Sequence, residues 1–338
     1  MKKIIFVFFL AFSFVVQAQR SDFSHISFHR ADSIAHSYLG ADLNSVPKLS
    51  FLLTKDLDTE VEKVRSIFKW IASNITNDHA TYLKNKRKRK QFQNDSIKLE
   101  EWNHEVRKKT LSTLLRKKKT VCTGYAFLFK QMLKYVDIES EIINGFSKTG
   151  GTEIEDLELP NHSWNAVKLN NKWYLCDPTW ASGIYNPNTK LFEFDYKKGY
   201  FLTDPKLFIT NHYPQNPEWT LISENNPTLE EYIDAPLLYT DAYKYSLLYQ
   251  TPNKMYNTVK KKENISFQFD LLDSTQVNNV FIIISGKRKE ETILPDNLEI
   301  DTHHIQFDYA FPFRGYYDLH LLLDGEAVMT YSFHVTRR

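Results

Sequence analysis

Asn170 and Asn171 stand between two apolar runs, residues 163–169 and 172–176. No other feature constrains the fold of this chain as tightly. Adjacent asparagines tolerate positive φ and suit a two-residue hairpin turn. Such a turn sets the register: Leu169 faces Lys172, and Asp177 faces Trp164. Side chains alternate between the two faces of a strand. His162 therefore becomes the diagonal neighbour of Asp177 on one face, about 7–8 Å away between backbones and within side-chain reach.

A third group completes the set. Cys122 lies in Thr-Val-Cys-Thr-Gly-Tyr-Ala (120–126), at the head of a helical pattern of Tyr125, Leu128, Phe129, Met132 and Val136. A helix N-terminus and a neighbouring imidazolium each lower a thiol's pKa from its usual value of about 8.5. A thiol at a helix start facing an imidazole and a carboxylate is the layout for nucleophilic acyl transfer. The expected roles are Cys122 as nucleophile, His162 as general base and acid, and Asp177 as orienter. The Cys122 backbone N–H serves as an oxyanion donor, and the second donor is left open. The chemistry requires no cofactor and no metal.

Cys122 and Cys176 are the only cysteines, and an even count outside the cytoplasm commonly signals a disulfide. Strand alternation argues against one here. If Asp177 points to the catalytic face, Cys176 points away from it, as a small core hydrophobe, and Cys122 is a free thiol.

Lys2 and Lys3 precede a mostly apolar run ending in Val16-Gln17-Ala18, the pattern of a secretory signal. The run is short against the roughly 20 residues of a membrane span, so the chain is expected to be exported (periplasmic or secreted) after cleavage near Ala18, with no stable membrane span. Residues 19–228 are then the catalytic domain. Thr59 and Glu62 form a capping box, followed by Val61, Val64, Ile67, Phe68, Ile71 and Ile75 at helical spacing. Trp70 beside that stripe is read as a core aromatic. Residues 21–39 read as a short helix, 40–50 as a connection, and 211–227 as a wrap-around tail and linker. Residues 145–160, glycine-containing and acidic, read as a long loop beside the cleft. Past residue 229 the texture changes to short alternating strands punctuated by turns, with Asp324-Gly325 a strong hairpin signal. Residues 229–338 are expected to be an immunoglobulin-like β-sandwich.

The basic runs 84–90 and 116–119 are read as solvated loop. Net charge is only +2, and no stacking aromatics are interleaved with the runs, so nucleic acid is not an expected partner. His25 and His29 fall four residues apart with His36 nearby, but no third ligand of characteristic spacing completes a zinc signature. His303-His304 is weaker still.

The segments around Cys122, His162 and Asp177 resemble the transglutaminase-like superfamily, in its kyphoscoliosis-peptidase-like bacterial branch. The resemblance extends to residues 63–75, 201–205 and 212–219, and covers 55–222 in the expected order. It implies an α+β class with a papain-like core and supports the three roles above. Thr120 stands where many relatives have Gly, and Ser163 where Ala is common. Neither departure removes a catalytic group. The resemblance admits peptidases, amide-forming transferases and inactive members. The leading expectation is an exported cysteine peptidase or amidase acting on a peptide or protein substrate. Protein-glutamine transamidation is the first alternative. The second is a non-catalytic scaffold whose β-domain binds a cell-surface polymer.

Overall fold

A computed structural model describes residues 20–150, 159–273, 275–287 and 289–337. The expected signal segment 1–18 and the acidic stretch 153–158 lie outside the described residues.

Three helices open the chain: α1 (His29–Ser37), α2 (Val46–Thr54) and α3 (Glu60–Asn74). The capping box at α3 is formed: Glu62 N–H donates to Thr59 Oγ1 at 3.3 Å and Thr59 N–H donates to the Glu62 carboxylate at 3.1 Å. Its apolar stripe is buried, and Trp70 is a core aromatic whose indole N–H donates to the Tyr38 carbonyl at 2.8 Å. The stretch 40–50, expected as connection, already contains the first turn of α2, where Pro47 occupies a position that needs no N–H partner. His29 opens α1 while His25 precedes it, so their spacing is not that of two ligands on one helix.

The basic run 84–90 is helical, contrary to the loop reading. It lies in α4 (His79–Phe92), which turns back on α5 (Ser96–Lys117). Asp78 caps α4 by accepting from Thr81 N–H at 3.2 Å. No residue of α4 is buried, so the apolar period that reveals most helices is missing. Lysine and arginine are good helix formers, and the hairpin is held by polar contacts: Trp102 Nε1–H donates to Asn85 Oδ1 at 2.9 Å, and Lys84 lies 5.4 Å from the Trp102 ring centroid. The short strands β1 (Thr76–Asn77) and β2 (Lys119–Thr120) pair in parallel at its base and lead into α6 (Cys122–Lys134).

The central sheet contains β3 (Ser140–Ser147), β4 (His162–Leu169) and β5 (Lys172–Cys176). A side hairpin follows, β6 (Gly183–Asn186) with β7 (Leu191–Phe194). The chain then adds β8 (Phe201–Thr203), a turn of helix α7 (Pro205–Phe208) and β9 (His212–Pro214). The sheet order is β8-β5-β4-β3-β9, antiparallel throughout. Leu169 pairs with Lys172 and Asn165 with Cys176, the register the two asparagines predict, and φ is 50° at Asn170 and 63° at Asn171. α6 lies against β3 and β4, pinned where Asn165 Nδ2 donates to the Ala126 carbonyl at 3.0 Å. The segment 211–227 is not merely a linker, because β9 closes one edge of this sheet.

Beyond α8 (Leu229–Asp234), β10 (Leu237–Leu238) joins the C-terminal region. Its strands are β11 (Leu247–Thr251), β12 (Tyr256–Lys260), β13 (Ile265–Leu271), β14 (Val280–Gly286) and β15 (Glu290–Ile293). They continue through β16 (Asp296–Ile300), β17 (His304–Tyr309), β18 (Gly315–Leu323) and β19 (Glu326–Thr336). One sheet runs β10-β19-β18-β14-β15 with β12 beside β19, and the other β11-β13-β17-β16. Rings meet between them, the Phe267 centroid lying 5.6 Å from that of Tyr331 and 6.1 Å from that of Phe333. The fold is α+β, a helix-and-sheet core followed by a sandwich that is antiparallel except where β12 runs parallel to β19. Among the described residues no helix is long and apolar enough to cross a membrane.

Candidate active site

Cys122 is the first residue of α6. Val121 precedes it in an extended conformation and offers no capping side chain, its carbonyl takes the Gly124 N–H at 2.8 Å, and Val121, Cys122 and Thr123 line a cavity of about 420 Å³. Thr120 fits this start closely. A Cβ on Gly124 would lie 1.9 Å from Thr120 Oγ1, so glycine at 124 makes room for the threonine at 120. Ser163, the other departure, donates through Oγ to Asn144 Oδ1 at 2.8 Å, and its backbone N–H points at the Cys122 sulfur.

His162 opens β4 and is buried. Its Nε2 lies 2.7 Å from Asp177 Oδ2, which leaves Nδ1 as the ring nitrogen to serve the Cys122 thiol, and each of the two groups shifts the other's ionisation. Asp177 follows β5 and has no exposed surface. Its Oδ1 accepts from the backbone N–H groups of Thr179 at 2.7 Å and Trp180 at 3.1 Å. The carboxylate thus holds the turn after β5 with one oxygen and the His162 ring with the other. The structure brings all three sequence-selected residues together. Cys176 is buried, unbridged and part of the core, and Cys122 is a free, half-buried thiol.

The electrostatics follow from this packing. Burial alone would push the Cys122 thiol up. The hydrogen bond and charge of His162, with the Ser163 N–H, outweigh it and hold the thiol below its usual value. Burial would lower His162, but Asp177 and the Cys122 sulfur raise it to about 10. Asp177 would rise on burial, yet the two histidines around it hold it well below the carboxylate range. An imidazolium–thiolate pair over a fixed carboxylate is the state these shifts favour. Cys176 lacks that company, and burial pushes it up to about 12.

Sequence reasoning missed one close partner. His212, on β9, lies with Nε2 3.0 Å from Asp177 Oδ2 and is wholly buried. Burial lowers it to about 4 against the pull of Asp177, so the ring is neutral and donates from Nε2 to the carboxylate. Its Nδ1, 2.6 Å from the Asn211 amide, is then an acceptor, which assigns the amide with its NH₂ toward the ring. The opposite orientation leaves that NH₂ buried without a partner. Tyr243 closes the line: its hydroxyl contacts the same amide and donates to the Leu207 carbonyl at 3.2 Å. The signal available was the His-Tyr-Pro segment at 212–214, but nothing in its spacing points to Asp177.

His162, Asp177 and His212 also place one ligand atom each within 4.8 Å of one another, and by donor type they could hold a divalent cation. A cation there would compete for the carboxylate that holds the imidazolium.

Residues 47–178 match the family model described as the transglutaminase-like superfamily. The chain belongs to that superfamily. Kyphoscoliosis peptidase of Homo sapiens is 31% identical over 219 residues, covering 64% of this chain and 30% of that protein. The Mus musculus protein of the same name is 30% identical over 245 residues, covering 72% and 33%. Hillarin of Drosophila melanogaster is 28% identical over 236 residues, covering 66% and 26%. The chain therefore spans about a third or less of the length of these curated relatives. The transglutaminase-like match holds Cys122, His162 and Asp177, and ends before His212.

Proposed function

We propose that this transglutaminase-like domain is a cysteine-dependent acyl-transfer enzyme of the peptidase or amidase kind. The observation that carries the reading is a Cys122 thiol at the head of α6, sharing one cavity with a buried His162 whose Nε2 is held 2.7 Å from Asp177 Oδ2. The thiolate attacks an amide carbonyl, and the oxyanion forms against the Cys122 backbone N–H. The C–N bond breaks as His162 gives its proton to the leaving amine. The thioester is then opened by an acceptor whose proton His162 takes, and that proton ends on the imidazole as the Cys122 thiolate leaves. Water as acceptor gives hydrolysis, and an amine gives transamidation. Asp177 keeps the ring oriented and its charge stabilised throughout.

Purified protein treated with an electrophilic thiol probe at neutral pH tests this. The reading expects rapid labelling of Cys122 that His162→Ala slows by about 10²–10⁴-fold. Equal labelling of the two proteins overturns it. Ammonia or peptide release measured against incorporation of a fluorescent amine then identifies the acceptor. Export rests on the N-terminal pattern, and a mature protein whose N-terminus remains Met1 overturns that part.

A further inference from the structure

Residues 228–245 run between the first region and the main strands of the sandwich, and the reaction above makes no use of them. They carry three buried tyrosines, Tyr232, Tyr243 and Tyr245, whose hydroxyls reach different places. The Tyr245 hydroxyl donates to the Leu323 carbonyl at 3.2 Å, within the sandwich. The Tyr232 hydroxyl lies 3.2 Å from the Asn211 carbonyl, which also accepts from the Lys148 backbone N–H at 3.1 Å. The Tyr243 hydroxyl donates to the Leu207 carbonyl at 3.2 Å and contacts the Asn211 side-chain amide.

The core is shaped to receive Tyr243. A Cβ on Gly199 would lie 2.5 Å from the Tyr243 Cβ and 2.9 Å from its carbonyl oxygen, so glycine at 199 lets the two stretches of backbone approach this closely. Beside it the Tyr200 and Tyr243 ring centroids are 4.5 Å apart, and the Tyr200 carbonyl accepts the Asp177 backbone N–H at 3.0 Å. Lys197 adds an ion pair to Asp241 at 3.1 Å.

Hydrogen-bond directions follow from what each group can donate. An ionised carboxylate only accepts, so His212 Nε2 donates to Asp177 Oδ2. The unprotonated Nδ1 then needs a donor, and the Asn211 NH₂ supplies it. The second hydrogen of that NH₂ needs an acceptor. Tyr243, whose own proton goes to Leu207, is placed to be that acceptor.

We propose that Tyr243 is a positioning residue of the acyl-transfer site: its hydroxyl holds the Asn211 amide in the orientation that keeps the His212 proton on Nε2, and so keeps Asp177 fixed behind His162. The role rests on the acyl-transfer reading, since it is expressed only through the order of Asp177 and His162 at Cys122. Without the hydroxyl the amide is free to turn its oxygen toward the ring, which then takes a proton on Nδ1. If Nε2 is left bare, two lone pairs face each other between His212 and Asp177.

The test compares the purified chain, carrying ¹⁵N-labelled histidine, as wild type, Tyr243→Phe and Tyr245→Phe. Each substitution deletes one buried hydroxyl and keeps the ring, but only the first touches Asn211. Imidazole ¹⁵N shifts report which nitrogen is protonated, with His212→Gln identifying the His212 signals, and Cys122 labelling by the thiol probe is timed on the same samples. Wild type is expected to show His212 protonated on Nε2 alone. Tyr243→Phe is expected to place a proton on Nδ1 and to slow labelling about threefold to tenfold, the worth of one hydrogen bond, whereas Tyr245→Phe changes neither. In a His212→Ala background Tyr243→Phe has no further effect on labelling. Three results overturn the proposal: a His212 ring unchanged by Tyr243→Phe, equal slowing by the two Phe variants, or a Tyr243→Phe effect that adds in full to that of His212→Ala. Should Tyr243→Phe not fold, Asn211→Asp asks the same question, because a carboxylate only accepts and draws a proton onto Nδ1; labelling at the wild-type rate there overturns the proposal as well. Failure of the acyl-transfer reading is recognised separately, as a wild-type Cys122 that labels no faster than in His162→Ala while the His212 proton still follows Tyr243.

Discussion

The two halves of the molecule bury different chemistry. Up to Thr220 the interior holds His162, Asp177, Asn165, Asn211, His212, Arg65 and a series of serines and threonines. Past that point, among the described residues, Ser246 and Thr330 are the buried polar side chains outside tyrosine. The sandwich is closed by rings and branched aliphatics such as Phe267, Phe307, Leu319 and Leu321. Burying a polar group costs free energy unless it is paired, and the first region pairs its groups around Asp177, whose two oxygens accept four hydrogen bonds. The contrast separates a region built to hold charge out of water from one built to pack. The two are nevertheless joined. Lys148, at the end of the strand beside His162, donates to the carbonyls of Tyr232 and Ala235 at 2.8 Å each, and Tyr243 contacts Asn211.

The sharpest way to break this comparison is at the thiol. Cys122→Ala is expected to abolish probe labelling and any turnover while leaving the thermal unfolding midpoint close to wild type. A remaining signal on Cys176 would erase the distinction between the two cysteines. The reverse experiment lies in the sandwich. Phe267→Ala removes a wholly buried ring and should cost about 3–5 kcal/mol in denaturant titration, with the labelling rate of the folded protein unchanged. A parallel fall in labelling would show that the sandwich shapes the site.

His212→Ala should slow labelling at neutral pH by about tenfold, close to the worth of one charge-assisted hydrogen bond. His212→Gln, which can still donate to Asp177, should recover part of that loss. Equal rates for both variants and wild type would reduce His212 to packing. The pH profile is a smaller and more diagnostic effect. An ordinary thiol reacts faster as pH rises through about 8.5. Because Cys122 is held below its usual value, its alkylation should rise at lower pH than that of an ordinary thiol. Because His162 is raised to about 10, its proton is present below that value and lost above it, so acyl transfer needing the imidazolium should decline there. A labelling curve that climbs through pH 8–9 would contradict the ion pair. The smallest effect concerns the helix start. Gly124→Ala should destabilise the domain, and Thr120→Gly in the same chain should restore most of the loss, measured as coupling in a double-mutant cycle. Additive effects would mean that the two positions do not share one space.

Much of the site was legible because its parts obey local rules. The paired asparagines set the turn, the turn set the register, and the register put His162 and Asp177 on one face and Cys176 on the other. Thr59 and Glu62 announced α3, and the apolar period beginning at Tyr125 announced a helix with Cys122 at its head. The α4 helix was not legible because it buries nothing, and a helix supported by propensity and polar contacts leaves no apolar stripe. His212 was hidden for another reason: it sits on a three-residue strand in a proline-rich stretch, too short to show alternation.

The sequence by itself determined the place of Cys122 at a helix start, the hairpin that pairs imidazole with carboxylate, and the change from mixed core to sandwich. These depend on periods and turn chemistry that act over a few residues. Only the tertiary structure decided that His212 and Asn211 support Asp177, and that Tyr243 reaches them from beyond the core. Those contacts join residues far apart in the chain, and what sets them is how sheet, helices and edge strand pack, which no local pattern encodes.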